Sequence, residues 1–231
     1  MSTFDIMQLR QADRRGLADE AADRIRDAIL AGDFPPGSPL REVELAASLD
    51  VSRGSVREGL DLLEREGLVR SAWHRGTRVI DLTARDAEEV YSVRAALEGL
   101  AGRSAIGRVD LDVLGGLVDA MARRLAAGAP SPELLALDIE FHDTIYRATG
   151  NRRLLEAWHA VRSQVHLFQL TRIRLGHHGY RAVVVDEHRE IVRLLDAGDA
   201  AEVTRFAEEH VHSAKRVLVG QLDRSTSETS G

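Results

Sequence analysis

The stretch "LREVELAASLDVSRGSVREGLDLLEREGLV", residues 40–69, decides the fold. It follows the proline- and glycine-rich "GDFPPGSPL" (32–40) and contains no proline of its own, so helical runs can form on both sides of a short turn. The first run covers residues 42–49. Asp50 and Val51 make the turn, Ser52 is an N-cap whose hydroxyl can accept from an orphan N–H, and Val56, Leu60 and Leu63 then recur on one helical face. Upstream, residues 17–31 place Ala21, Ile25, Ala28 and Ile29 on another apolar stripe. Downstream, "LVRSAWHRGTRVIDL" sets Leu68, Val69, Val79 and Ile80 around a polar, glycine-bearing centre, the pattern of a small β-hairpin. Three helices followed by a hairpin predict a winged helix-turn-helix.

From Thr83 the pattern changes to long amphipathic helices with no strand signal. Thr83 with Asp86 reads as a capping box opening a helix to about Ile106, and a second helix runs from Leu111 to about Ala127. Ser131-Pro132 starts a third, which "TGN" (149–151) stops. Further helices are expected over 152–175, 181–197 and 200–221. The predicted architecture is mainly α: a winged helix-turn-helix over 10–80, an all-α antiparallel helical bundle over 83–222, and a polar, disordered tail over 223–231.

Of the 231 residues, 44% are hydrophobic and 29% charged, a globular composition able to bury a core. No cysteine is present, which removes disulfides, thiolate metal ligands and a thiol nucleophile. The N-terminal "MSTFDIMQLRQADRRG" lacks a signal-peptide pattern and no apolar run is long enough to span a bilayer, so a cytoplasmic protein with no membrane partner is expected. The net charge of −6 speaks mildly against nucleic acid, so a DNA partner must rest on local pattern.

That pattern lies in "VSRGSVREGL", where Ser52, Arg53, Ser55 and Arg57 occupy the first turns of the second helix of the helix-turn-helix, the turns that enter a major groove. An arginine fork there can grip guanine O6 and N7, and serine suits phosphates or base edges. Taken alone, Arg-x-x-x-Arg is more often a solvated helical face. The surrounding "PPGSPLREVELAASLDVSRGSVREGLDLLEREGLVR…RGTRV", however, resembles the GntR family of bacterial transcription regulators over about residues 15–80. The resemblance implies that Arg53 and Arg57 are the main DNA contacts, assisted by Ser52, Ser55 and the wing tip Arg75-Gly76, with Arg41 a weaker phosphate contact. The chain departs from the family pattern at Gly54, Gly59 and Asp50. Glycine costs about 1 kcal/mol relative to alanine in a helix, so a recognition helix firm only on DNA is expected.

In "LALDIEFHDTIYRATG" (135–150), Asp138 and His142 flank the stripe of Leu134, Phe141, Ile145 and Ala148 and therefore point inward. A buried carboxylate needs a hydrogen-bonded histidine, an arginine or a metal. His188 lies amid Val184, Ile191, Val192 and Leu195, and His210 amid Val203, Phe206, Ala207, Ala214 and Val217. These four residues fit a core hydrogen-bond set and a metal site about equally well, imidazole and carboxylate being suitable ligands for Zn²⁺, Ni²⁺ or Fe²⁺. His212, His74, His159, His177 and His178 read as surface residues, and His166 stays undecided.

Residues 83–220 resemble the FCD ligand-binding domain of the FadR subfamily of GntR regulators, through "VRAALEGLA" (93–101), "LDIEFHDTIYRATGN" (137–151), "DEHREIVRLLDAGD" (186–199) and the late His210. The resemblance implies a divalent metal, Zn²⁺ foremost with Ni²⁺, Fe²⁺ or Mn²⁺ as alternatives, on Asp138, His142, His188 and His210. It also implies an effector contact at Arg94, for which an intrahelical Arg94–Glu98 ion pair is the other reading. Asn151 either lines the same pocket or caps a helix. The expected protein is a homodimeric regulator, more often a repressor in this family, that binds a palindromic double-stranded DNA operator and responds to a small carboxylate. It is not expected to be an enzyme. A DNA-binding regulator with a purely structural metal and, less favoured, a helical-bundle metalloenzyme are the alternatives; against the latter, no inward acid or base other than Glu98 is a candidate for catalysis.

Overall fold

The computed structural model describes residues 16–73, 76–175 and 179–229. Helix α1 (Leu17–Ala31), α2 (Glu42–Leu49) and α3 (Arg53–Arg65) are followed by β2 (Val69–Ala72) and β3 (Gly76–Val79), the expected winged helix-turn-helix. One strand goes beyond it: β1 (Pro39–Leu40) pairs antiparallel with β3, Pro39 opposite Arg78 and Leu40 opposite Thr77, giving the order β1-β3-β2. Two residues of ladder are too short to show as an alternating pattern.

The turn and the recognition helix explain two of the unusual residues. Asp50 ends α2 at φ 54°, a left-handed conformation that Asp tolerates better than most side chains. Ser52 caps α3, its Oγ accepting from Ser55 N at 3.0 Å. α3 is continuous through Gly54 and Gly59. At Gly59 a Cβ would lie 2.9 Å from the Ala18 carbonyl oxygen and 3.1 Å from Ala22 N, so this glycine lets α1 and α3 approach closely. Val56, Leu60 and Leu63 meet Ile25 and Ile29 in the core behind it.

The second part is all helical: α4 (Ala84–Ala105), α5 (Leu111–Ala126), α6 (Ser131–Ala148), α7 (Arg152–Arg174), α8 (Gly179–Ala197) and α9 (Ala200–Thr229). Thr83 and Asp86 form the predicted reciprocal capping box on α4. α9 runs on to Thr229, through most of the stretch read as a disordered tail. Leu218 and Leu222 still pack with Tyr91 and Phe168, and beyond them the helix propagates at one backbone hydrogen bond per residue. Among the described residues no helix is long and apolar enough to cross a membrane.

α7 joins the two parts. Leu167 lies in the winged-helix core with Ile25, Leu63 and Leu68, whereas its neighbour Phe168 packs with Tyr91 in the bundle. Ser163 Oγ donates to Glu66 Oε2 at 2.8 Å, and Glu66 also receives both Nε and Nη2 of Arg26. Gln164 Nε2 donates to the Gly67 carbonyl at 3.1 Å.

Candidate metal centre and nucleic-acid groove

Three helices bring the inward histidines together. His142 comes from the middle of α6, His188 from α8 and His210 from α9, and their ligand atoms all lie within 4.8 Å of one another. His142 and His188 are fully enclosed, as is Asp138 one turn before His142. Asp138 Oδ1 lies 3.1 Å from His188 Nε2. The four residues selected by the helical pattern thus meet in one place.

The remaining hydrogen bonds orient the rings. His188 Nδ1 donates to the Val184 carbonyl at 2.6 Å, His142 Nδ1 to Glu98 Oε2 at 3.1 Å and His210 Nδ1 to Glu187 Oε2 at 2.8 Å. A carbonyl or ionised carboxylate can only accept, so in the neutral rings each proton sits on Nδ1 and each Nε2 carries a lone pair. Two of these, His142 Nε2 and His188 Nε2, are buried without a hydrogen-bond partner, and so is Asp138 Oδ2. Such orphaned acceptors are costly unless a cation faces them. Imidazole nitrogens plus one carboxylate, each ring steadied through its other nitrogen, are a donor set that fits a divalent transition metal.

Electrostatics agree with that donor set. Burial on its own raises the Asp138 carboxyl, but positive charge placed at His188 and His142, together with Arg94, outweighs it and holds it far below its ordinary value; with both rings neutral, a metal ion would have to supply that charge. Glu98 behaves likewise: burial raises it, and His142 and then Arg94 bring it down to about 2. Burial lowers His210, opposed by its hydrogen bond to Glu187 and reinforced by His188 and His142. The carboxylates stay ionised and the imidazole of His210 stays neutral over the physiological range, the forms that ligate metal.

Arg94 sits beside this cluster rather than on the surface. It is fully buried, its Nε 3.3 Å from Glu98 Oε1, so Glu98 links Arg94 to His142. The guanidinium carbon lies 5.8 Å from the Trp158 ring centroid, and Trp158 stacks on Tyr146 at 4.8 Å. Arg94 Nη2, Tyr91 Oη and Tyr146 Oη are buried without hydrogen-bond partners. The ion-pair reading of Arg94 is thus what the structure shows, with Nη2 left as an unused donor. A narrow cleft of about 40 Å³, lined by Asp138, Gln169, Arg172, Glu187 and His210, reaches the cluster. Asn151 is exposed and its Oδ1 accepts from Leu154 N at 3.2 Å, so the structure gives it the capping role.

Arg53 and Arg57 of α3 face a separate, open groove that Arg41, Glu42, Gly76, Thr77 and Arg78 also line. Recognition helix and wing thus share one surface. Ser52 and Ser55 are joined at 2.9 Å through their hydroxyls at the start of α3. Gly76 has φ 71°, the left-handed conformation the wing turn requires. Arg75, with His74, lies outside the described residues, as do His177 and His178.

Comparison with known proteins identifies the chain. Residues 17–79 match "Bacterial regulatory proteins, gntR family", and residues 89–213 match "FCD domain". The chain belongs to the GntR family and carries an FCD domain. It is 34% identical over 201 residues to a Paenarthrobacter nicotinovorans protein named "Probable D-xylose utilization operon transcriptional repressor", covering 86% of this chain and 87% of that one. To the "Gluconate operon transcriptional repressor" of Bacillus licheniformis it is 28% identical over 178 residues, covering 76% and 70%. A solved structure of a GntR transcriptional regulator from Rhodococcus sp. RHA1 superposes with a TM-score of 0.76 at 27% identity, over 88% of this chain and 97% of that one. The FadR subfamily assignment is consistent with a GntR domain joined to an FCD domain, and both families and these relatives are regulators rather than enzymes.

Within this GntR regulator, sequence reading missed the acidic partners. Glu187 is the residue before His188 in "DEHRE", but it faces His210 on the next helix, a pairing no spacing within one helix reveals. Glu42 likewise reaches Arg57 across the helix-turn-helix. His212, read as a surface residue, is partly buried, with Nδ1 enclosed.

Proposed function

We propose that this GntR regulator is a cytoplasmic, homodimeric repressor whose release from a palindromic operator is controlled by a small carboxylate bound at a metal held by Asp138, His142, His188 and His210. The observation that carries the reading is the convergence of imidazole lone pairs and the Asp138 carboxylate beside the buried, incompletely satisfied Arg94. A divalent ion there would supply a Lewis-acidic anchor for one carboxylate oxygen. Arg94 would hold and orient the acid through its remaining N–H donors, with the unpartnered hydroxyls of Tyr91 and Tyr146 as further donors. A regulator with a purely structural metal is the weaker reading, because a structural ion requires neither the unused donors of Arg94, Tyr91 and Tyr146 nor a cleft reaching Asp138 and His210.

Arg53 and Arg57 would read the operator, with Ser52, Ser55, Arg41 and the wing tip Arg75-Gly76 on backbone and flanking contacts. One such helix covers too few base pairs for useful specificity, which is the reason for a two-fold dimer on a palindrome. The sign of regulation follows the relatives named as repressors. Coupling would run through α7, which presents Gln169 and Arg172 to the cleft and Ser163, Gln164 and Leu167 to the winged helix. An effector acts only by favouring one arrangement of those contacts, worth on the order of 1–3 kcal/mol.

Elemental analysis of the purified chain, followed by a thermal-shift screen of small organic acids with and without chelator, tests the reading. A metal-dependent stabilisation by one class of acid, and release of DNA by the same acid, is the expected result. Stabilisation by metal with no acid effect on DNA would leave only the structural-metal reading.

A further inference from the structure

Glu42 is the first residue of α2, half-buried, and belongs to neither the metal cluster nor the set of residues read as DNA contacts. It nevertheless grips the recognition helix. Arg57 Nε donates to Glu42 Oε1 at 3.1 Å and Arg57 Nη2 to Glu42 Oε2 at 2.7 Å, while Arg53 Nη2 stands 3.8 Å from the same Oε2. We propose that Glu42 is a positioning residue for sequence readout, holding the side-on edge of the Arg57 guanidinium so that its end-on edge faces the DNA groove.

The geometry of guanidinium carries this. The Nε and Nη2 hydrogens point one way and the Nη1 and Nη2 hydrogens another, and each pair matches a two-acceptor partner. Glu42 occupies the first pair, which fixes both the plane and the direction of the second. Arg57 is largely exposed, so without this anchor its long side chain would sample many rotamers and lose entropy on docking. As a contribution to folding, an exposed pair of this kind counts for little. Its placement beside a DNA phosphate lattice is also unfavourable for simple affinity, since a carboxylate repels phosphate. A carboxylate kept there is explained by discrimination: it weakens binding to any sequence and sharpens binding to the one whose guanine meets the oriented fork.

The proposal rests on the reading of Arg57 as a base contact, and one experiment separates the two. The full-length holo-protein and its Glu42→Gln, Glu42→Ala and Arg57→Ala variants are each used to select from a randomised double-stranded DNA library, and binding to unselected duplex is measured alongside. Thermal melting checks that each variant is folded. Arg57→Ala should erase preference at particular base pairs. Glu42→Gln and Glu42→Ala should weaken preference at those same base pairs, on the order of tenfold, with binding to unselected duplex unchanged or tighter. Full retention of preference in both Glu42 variants overturns the positioning role. So does loss at different base pairs, which would make Glu42 a direct reader, and so does a parallel loss on selected and unselected DNA. An Arg57→Ala variant with the wild-type preference would instead overturn the recognition-helix reading itself.

Discussion

His188 presents its Nε2 to Asp138 Oδ1 at 3.1 Å while its Nδ1 is engaged by the Val184 carbonyl, so in the neutral ring two lone-pair-bearing atoms face each other with no proton between them. That juxtaposition is repulsive unless a proton or a metal cation mediates it. The purified protein is therefore expected to contain close to one equivalent of divalent metal, and His188→Ala should lower the content sharply. At free metal one hundred times the dissociation constant, binding stabilises the fold by about 2.7 kcal/mol, so chelation should lower the melting temperature and added metal restore it. Unchanged metal content in His188→Ala removes that residue from the site.

Arg94 and Glu98 form a buried pair in which each compensates the other. Arg94→Ala should destabilise the protein by about 3–5 kcal/mol by leaving an uncompensated carboxylate inside. The double variant Arg94→Met, Glu98→Gln should recover most of that loss in urea unfolding, yet lose the thermal shift produced by small acids. A double variant that keeps the shift excludes Arg94 as the effector's anchor.

Gly59 reads from sequence as a weak point of the recognition helix, where alanine would gain about 1 kcal/mol of helix propensity. The 2.9 Å approach of its would-be Cβ to the Ala18 carbonyl reverses the sign. Gly59→Ala should destabilise by about 1–3 kcal/mol, the usual cost of forcing extra volume into a packed contact. Stabilisation would mean that α1 yields easily.

Gly59 marks where sequence reading stops. Helix boundaries, caps and the inward placement of Asp138, His142, His188 and His210 follow from periodicity within single segments, and so were legible. The near contact of α1 with α3, the two-residue strand at Pro39–Leu40 and the Glu187–His210 and Glu42–Arg57 pairs depend on how separate segments approach, which no local pattern encodes. The onward run of α9 to Thr229 was missed for a related reason: polar composition suggests disorder, whereas a helix anchored by Leu218 and Leu222 propagates through weak residues.

His166 carries a pH dependence. Burial, followed by the charge of Arg162, lowers it to about 4, with Asp138 and Asp143 partly opposing. The folded ring stays neutral while the unfolded one gains a proton near pH 6.5, so its contribution is fully present above that pH and is lost as pH falls toward 4. The loss is about 3 kcal/mol at its ceiling. Unfolding free energies of wild type and His166→Gln should diverge across this window, the wild type being the more acid-sensitive; parallel curves would show that the ring is not desolvated.

The two tryptophans offer a direct optical assay of the groove. Trp73, beside the wing turn, is 87% exposed, whereas Trp158 is fully buried. Acrylamide should quench one accessible population, Trp73→Phe should abolish it, and duplex DNA should protect it. Protection absent at saturating DNA would place the wing away from the duplex.

Leu167 and Phe168, adjacent on α7, serve different cores. The natural seam for exchanging reading heads between such regulators, the linker near residues 80–83, is therefore not where the chain can be cut cleanly. This head moved onto another body would arrive without the leucine that fills its base, and with foreign residues in place of Ser163 and Gln164 against Glu66 and Gly67. Grafts that also carry the matching face of α7 should fold and respond, while grafts limited to the head should bind DNA but be deaf to the effector.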